Sequence, residues 1–124
     1  MNQETENKRR FSRISYDCGA NIIADGKPWL TQLLDISLNG ALVERPEGFK
    51  AVMGDPCALE LTLNNSSIII RMDVAIVAHS EENCIGFTCK FIDVDSISHL
   101  RRLVELNLGD EELLHRELDA LGHH

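Results

Sequence analysis

The sequence predicts a mainly β fold, a six-stranded antiparallel β-barrel followed by C-terminal α-helices. Three observations predict it. The chain has 124 residues, a usual length for one domain. From residue 17 to about residue 92 it consists of short apolar segments separated by turn signals. From residue 96 onward the apolar residues recur mostly at helical spacing. Short strands with turns between them are typical of a small antiparallel barrel.

The turn signals define the individual elements. Residues 25–28 and the pair Asn64-Asn65 predict tight turns, and residues 46–56 form a glycine-containing loop. Strands are therefore predicted at residues 18–24, 29–36, 38–45, 57–63, 68–78 and 85–92. A helix is predicted at residues 96–108, with Asp95 or Ser96 as its N-cap, and a second helix begins at Asp110.

These elements predict three parts of the chain. Residues 1–8 are polar and without periodicity, so we expect a flexible N-terminal tail. The barrel domain should span residues 9–93. The helices at residues 94–122 must bury their apolar faces, so we expect them to pack on the barrel.

The net charge of −8 limits the possible partners. It argues against non-specific binding to long nucleic acids and against attraction to an anionic membrane. The longest apolar run contains Arg71 and Asp73 and cannot span a bilayer. The N-terminus has no apolar signal core, and the 4 cysteines show no Cys-x-x-Cys spacing. We therefore expect a cytoplasmic protein with reduced thiols, without membrane insertion and monomeric.

A basic cluster near the N-terminus contrasts with this acidity. It consists of Lys8, Arg9, Arg10 and Arg13. The planar guanidinium group makes paired hydrogen bonds to phosphate, or to O6 and N7 of guanine. Three arginines within five residues can hold one compact anion from several sides. Considered alone, such a cluster is more often a solvated basic tail.

A second stretch, Asp35-Ile36-Ser37-Leu38-Asn39-Gly40, lies between two predicted strands. Asp35 can accept hydrogen bonds from N1–H and the N2 amino group of a guanine. Ser37 can bond local backbone groups and hold the turn. Gly40 can take a positive φ or let a ligand approach the backbone closely. Considered alone, this stretch is an ordinary turn.

Together the two stretches resemble the PilZ family of cyclic di-GMP receptors. The segment Arg9-Arg10-Phe11-Ser12-Arg13 matches the family's Arg-x-x-x-Arg motif. The residues from Asp35 to Gly40 match its Asp/Asn-x-Ser-x-x-Gly motif, in the family's order and spacing. The stretch Cys84-Ile85-Gly86-Phe87 is similar to the family's late strand. The resemblance covers nearly the whole chain and extends to small stand-alone members of the family.

The resemblance implies a bacterial second-messenger receptor that binds one cyclic di-GMP or an intercalated pair. Lys8 precedes the first motif arginine, where a cation favours the pair. Some members stack a guanine on an aromatic strand residue, but the matching strand here is aliphatic and offers Val77. Binding would change the conformation of the N-terminal arm and signal to an unidentified downstream protein. The implied ligand-binding residues are Lys8, Arg9, Arg10, Arg13, Asp35, Ser37, Asn39, Gly40 and Val77.

Two other functions compete with this one. The first is a PilZ-like protein-interaction module that binds no nucleotide and docks its partner through the helices. The second is a small RNA-binding barrel that uses the basic cluster, which the overall acidity disfavours. The sequence has no Gly-rich phosphate loop, nucleophile elbow or metalloprotease motif, so we do not predict an enzyme. His79, Cys84 and Cys89 lack a matched ligand pair for zinc, so no metal or cofactor is predicted.

Overall fold

A computed structural model describes residues 14–64 and 66–108 of the chain. These residues form a closed six-stranded antiparallel β-barrel followed by one α-helix, which confirms the predicted fold class. The elements are β1 (Ile14–Ala24), β2 (Lys27–Ser37), β3 (Gly40–Glu44), β4 (Pro56–Thr62), β5 (Ile69–Ser80), β6 (Cys84–Ile92) and α1 (Val94–Leu108). The predicted tail at residues 1–8 and the second helix from Asp110 lie outside the described residues.

The strands close in the order β1-β2-β3-β6-β5-β4, and every neighbouring pair is antiparallel. Tight turns connect β1 to β2, β2 to β3 and β5 to β6, whereas a loop at residues 45–55 connects β3 to β4. Because β3 pairs with β6, the β2–β3 hairpin and the β5–β6 hairpin lie side by side in the barrel wall.

Two turns and one register shift explain where the first residues of the strands differ from the prediction. Asp25 and Gly26 both have positive φ (55° and 74°), as a two-residue type I′ hairpin requires, so β2 begins at Lys27, two residues earlier than predicted. β3 begins at Gly40 instead of Leu38, because Leu38 and Asn39 form the next turn. β1 begins before the predicted residue 18 because a register shift lets Ile14 continue the pairing with β2.

The barrel interior is mainly aliphatic. Fully buried side chains from every strand fill it, including Ile22, Leu33, Val43, Leu59, Ile70 and Ile85. Leu100, Leu103 and Val104 of α1 are also buried and belong to the same core. Burial of such side chains contributes roughly 1.5–3 kcal/mol each, so the core supplies most of the favourable free energy of folding.

The helix is joined to the barrel at its first turn. Asp93 Oδ1 accepts a hydrogen bond from the backbone N–H of Ser96 (2.7 Å), so Asp93 is the N-cap and not Asp95 or Ser96 as predicted. The backbone N–H of Arg71 on β5 donates to Ser96 Oγ (2.9 Å). α1 has 15 residues, and none of the described part of the chain forms a helix with the length and apolar character needed to cross a membrane.

Candidate ligand-binding site

A pocket of about 520 Å³ opens on the outer face of the barrel, between the β2–β3 hairpin and the β5–β6 hairpin. Its volume is within the range of about 300–1,000 Å³ that small-molecule sites occupy. The first wall carries Asp35, Ser37, Asn39, Gly40, Ala41 and Leu42. The second wall carries Ala78, His79, Glu81, Cys84, Gly86, Phe87 and Thr88. The described lining therefore contains every polar residue of the second sequence motif.

Asp35 reaches this outer face because of a β-bulge. Leu33 and Ile36 are both fully buried, although strict alternation would place one of them outside. The register between β2 and β3 shifts between Leu33 and Asp35, so Leu34 and Asp35 both lie on the outer surface. The extra residue thus places the Asp35 carboxylate at the pocket wall instead of in the core.

Ser37 and Asn39 shape the turn that follows. Ser37 is buried, and its Oγ lies 3.1 Å from Asn39 Oδ1 as a donor and 3.4 Å from the backbone N–H of Asn39 as an acceptor. The Asn39 carbonyl accepts a hydrogen bond from the backbone N–H of Cys89 on β6 (2.7 Å). The hydroxyl therefore holds the turn, as predicted for Ser37, and the turn itself is anchored to the neighbouring strand.

Of the two roles predicted for Gly40, the structure does not show the positive φ, and close approach of a ligand stays a prediction. Its backbone does not adopt a positive φ. Instead, a Cβ built at this position would lie only 2.2 Å from the carbonyl oxygen of Phe87. Gly40 is buried and pairs with Thr88 of β6, so a side chain would collide with the β6 backbone. The glycine thus allows the two hairpins that form the pocket to pack side by side.

The second wall is built on the turn after β5. The backbone N–H of Glu81 donates to the carbonyl of Cys84 (2.9 Å), and Glu81 Oε2 lies 3.0 Å from His79 Nε2. Arg45 holds this turn from outside, since its Nε donates to the carbonyl of Glu81 (2.9 Å) and its Nη1 donates to the carbonyl of Phe49 (3.0 Å). The turn and the β3–β4 loop are therefore joined through one side chain.

The pocket is acidic in its described part. Asp35 and Glu81 line it, and none of the described lining residues is Lys or Arg. Burial raises the pKa of the Cys84 thiol, and the carboxylates of Glu81 and then Asp35 raise it further. Within the described residues no group of three or more His, Cys, Asp and Glu side chains is placed to hold a metal ion. The described pocket can thus accept hydrogen-bond donors but offers phosphate no fixed cation.

The predicted site residues fall into three groups. Asp35, Ser37, Asn39 and Gly40 are brought together in the pocket. The basic residues Lys8, Arg9, Arg10 and Arg13 lie outside the described residues.

Val77 is the third case, because the structure places it away from the other site residues. Its side chain is 2% exposed and faces the core, where it borders a second pocket of about 510 Å³ beside Trp29 and Phe49. Alternation from the buried Met72 would place Val77 outside, but the register shifts on either side of Val74 reverse the alternation. Ala78 takes the outward position and lines the pocket of the motif residues.

Sequence reasoning missed His79 and Glu81 as pocket residues. His79 lies at the end of β5 and Glu81 directly follows it, where a change from apolar to polar residues signals the end of a strand. Gly86 was noted only for its resemblance to the family's late strand, but a Cβ there would lie 3.1 Å from His79 Cβ. The change from apolar to polar residues was therefore visible in the sequence. Whether these residues line a pocket depends on which strands lie beside them in the barrel.

The fold and the pocket define a small β-barrel domain with a pocket on its outer face. The PilZ domain family model matches residues 7–106, and the chain belongs to the PilZ domain family. The predicted membership of the PilZ family is thereby confirmed.

Solved structures of PilZ domains share the fold. The PilZ domain with c-di-GMP of YcgR from Escherichia coli is 18% identical with a TM-score of 0.59, covering 94% of this chain and 98% of that one. The PilZ domain of CeSA from a cellulose-synthesizing bacterium is 17% identical with a TM-score of 0.59, covering 79% and 96%. The Bacillus subtilis inhibitor of motility MotI is 18% identical with a TM-score of 0.63, covering 79% of this chain but 52% of that chain.

Proposed function

We propose that this protein is a cytoplasmic receptor for cyclic di-GMP and not an enzyme. Asp35, Ser37, Asn39 and Gly40 form the barrel half of the site. The basic cluster Lys8, Arg9, Arg10 and Arg13 forms the other half. The observation that carries the proposal is the pocket itself, since its lining includes all four motif residues on one wall. Family membership supports it, as does the YcgR domain, whose structure contains c-di-GMP.

Covalent connectivity keeps the basic cluster within reach of this pocket. Ile14 pairs with Ile36 and Ser15 pairs with Asp35, so β1 starts beside the motif. Arg13 directly precedes Ile14, and successive Cα atoms are about 3.8 Å apart. Arg9 is five residues before Ile14, which limits its Cα to about 18 Å from that point. The arginine side chains can therefore reach a ligand that lies against Asp35.

The charges of the site predict where the bases and the phosphates of the ligand lie. Carboxylates repel phosphates but accept hydrogen bonds from the N1–H and N2 groups of guanine. The guanidinium group of one arginine can donate two parallel hydrogen bonds to the oxygens of a phosphate. The bases should therefore face Asp35, and the phosphates should face the basic cluster. The chain binds either one cyclic di-GMP or an intercalated pair, and closure of residues 8–13 on the barrel signals to a downstream protein.

Isothermal titration of cyclic di-GMP into the intact protein tests the proposal and gives the stoichiometry. Arg13→Ala should abolish measurable binding. Asp35→Asn should weaken it by about 5- to 150-fold, since a matched bidentate base contact contributes about 1–3 kcal/mol. The control is Arg101→Ala, which removes the same charge from an exposed position on α1. Absence of binding to folded wild-type protein by two methods would favour the nucleotide-independent interaction module.

Hydrogen exchange tests the conformational part of the proposal separately. Amide exchange in residues 1–15 should slow when cyclic di-GMP saturates the protein, because closure on the barrel protects backbone amides. The Arg13→Ala variant under the same conditions should show no such slowing. Unchanged exchange in the saturated wild-type protein would contradict the closure and leave binding as the only function.

A further inference from the structure

We propose that Glu81 is a second guanine-recognising residue, so that Asp35 binds one guanine of the ligand and Glu81 binds the other. This inference rests on the proposed function. It concerns a residue outside both sequence motifs, placed in the pocket by the fold alone.

Asp35 and Glu81 lie on opposite walls of one pocket. Asp35 lies on β2 after the bulge, whereas Glu81 lies in the turn between β5 and β6. Cys84 lies between them: its Sγ is 3.7 Å from Glu81 Oε1, and both carboxylates raise the pKa of its thiol. The two carboxylates thus face the same space, although 46 positions separate them in the sequence.

Glu81 is held in place at both its backbone and its side chain. Its N–H and its carbonyl are bound by Cys84 and Arg45, both at 2.9 Å. Its Oε2 lies 3.0 Å from His79 Nε2, and its side chain remains 61% exposed. A solvent-exposed glutamate in a turn is usually free to rotate, but here His79 and the Cys84 thiol contact its carboxylate. The carboxylate is therefore oriented and still accessible to a ligand.

The chemistry of guanine matches two carboxylates. N1–H and the N2 amino group are adjacent donors, and the two oxygens of a carboxylate can accept from both. Adenine offers a donor at N6 beside an acceptor, which a carboxylate cannot match but an amide can. Cyclic di-GMP carries two guanines related by symmetry. Because the described lining contains no Lys or Arg to attract phosphate, a base matches this part of the pocket better than a phosphate does.

The test compares cyclic di-GMP with 3′,3′-cyclic GMP–AMP, in which adenine replaces one guanine. Wild-type protein should bind the mixed ligand about 5- to 150-fold more weakly. Glu81→Gln should weaken cyclic di-GMP binding and strengthen binding of the mixed ligand, reducing the ratio of the two Kd values at least tenfold. The control Glu82→Gln removes the same charge from an exposed neighbour outside the pocket lining and should keep both wild-type Kd values.

Three outcomes would overturn the inference. If Glu81→Gln keeps the wild-type Kd for both ligands, Glu81 does not contact the bases. If it weakens both ligands equally, Glu81 acts on the pocket as a whole and recognises no particular base. In both cases the proposed function as a cyclic di-GMP receptor still holds. If wild-type protein binds neither ligand, the proposed function fails and the role of Glu81 fails with it.

Discussion

Replacing Gly40 by alanine should destabilise the barrel by forcing β3 away from β6. The new Cβ would lie 2.2 Å from the Phe87 carbonyl oxygen. Carbon and carbonyl oxygen ordinarily approach to about 3.3 Å, so the two strands would have to separate by about 1 Å. The obstacle is backbone and cannot rotate away, unlike the end of a side chain.

The cost follows from that displacement. The neighbouring hydrogen bond from Cys89 N–H to the Asn39 carbonyl is 2.7 Å long. Lengthening it by about 1 Å would carry it beyond the usual limit of about 3.2 Å. Overpacking costs about 1–3 kcal/mol, and a lost hydrogen bond about 1 kcal/mol more. We therefore expect Gly40→Ala to lower the free energy of unfolding by about 2–4 kcal/mol.

Urea unfolding followed by fluorescence of Trp29, the single tryptophan, measures this change. With a urea dependence of about 2 kcal/mol per molar, the midpoint should fall by about 1–2 M. The matched control is Gly19→Ala in β1, where a Cβ meets nothing within 4 Å and φ is not positive. That substitution should change stability by less than about 1 kcal/mol, because it adds no clash.

An unfolding midpoint equal to that of the wild-type protein would refute the reasoning. If Gly40→Ala unfolds at the wild-type midpoint but no longer binds cyclic di-GMP, the glycine serves close approach of the ligand and not the packing of the strands. If both the midpoint and the binding are unchanged, the close contact between β3 and β6 is relieved without cost.

Further predictions concern the loop after β3, the helix and the thiols. Arg45→Met should cost about 2 kcal/mol, since its charged hydrogen bonds to the carbonyls of Glu81 and Phe49 are lost, and should speed amide exchange in the loop after β3; unchanged exchange there would contradict the bridging role. Asp93→Ala should cost about 1 kcal/mol in chemical unfolding through loss of the N-cap, whereas the control Asp95→Ala should cost less. Burial raises the pKa of Cys18 and Cys89 to about 11, so mass spectrometry should show iodoacetamide labelling at pH 8 roughly 100-fold slower than for a free thiol. Because the unfolded chain releases these protons first, the free energy of unfolding should fall as the pH rises from about 9 to about 11; a constant value would contradict the raised pKa.

Local signals in the sequence were sufficient for the hairpins and the main helix. Asp-Gly at residues 25 and 26 predicted a turn because few other pairs tolerate two positive φ angles. The six strands followed from apolar segments between such turns. The pocket wall from Asp35 to Gly40 was predicted from its motif, since its residues are neighbours in the chain.

Non-local pairing decided what the sequence could not show. The bulge beside Asp35 and the reversal that buries Val77 depend on how two strands fit together. The requirement for glycine at position 40 comes from the Phe87 carbonyl, 47 residues away. His79 and Glu81 become pocket residues only because the β5–β6 hairpin lies beside the β2–β3 hairpin. These contacts exist only in the closed barrel, because they join residues that are far apart in the sequence.

Closure of the barrel also restricts how another protein can recognise this chain. Within the described residues each of the six strands is hydrogen-bonded to two neighbours. No strand there offers a free row of N–H and C=O groups, so an extended peptide cannot attach by strand addition. A protein partner that binds the described part of the chain must therefore contact side chains on the outer faces, the loops or α1. The same closure protects the chain from the edge-to-edge association that leads open sheets to aggregate.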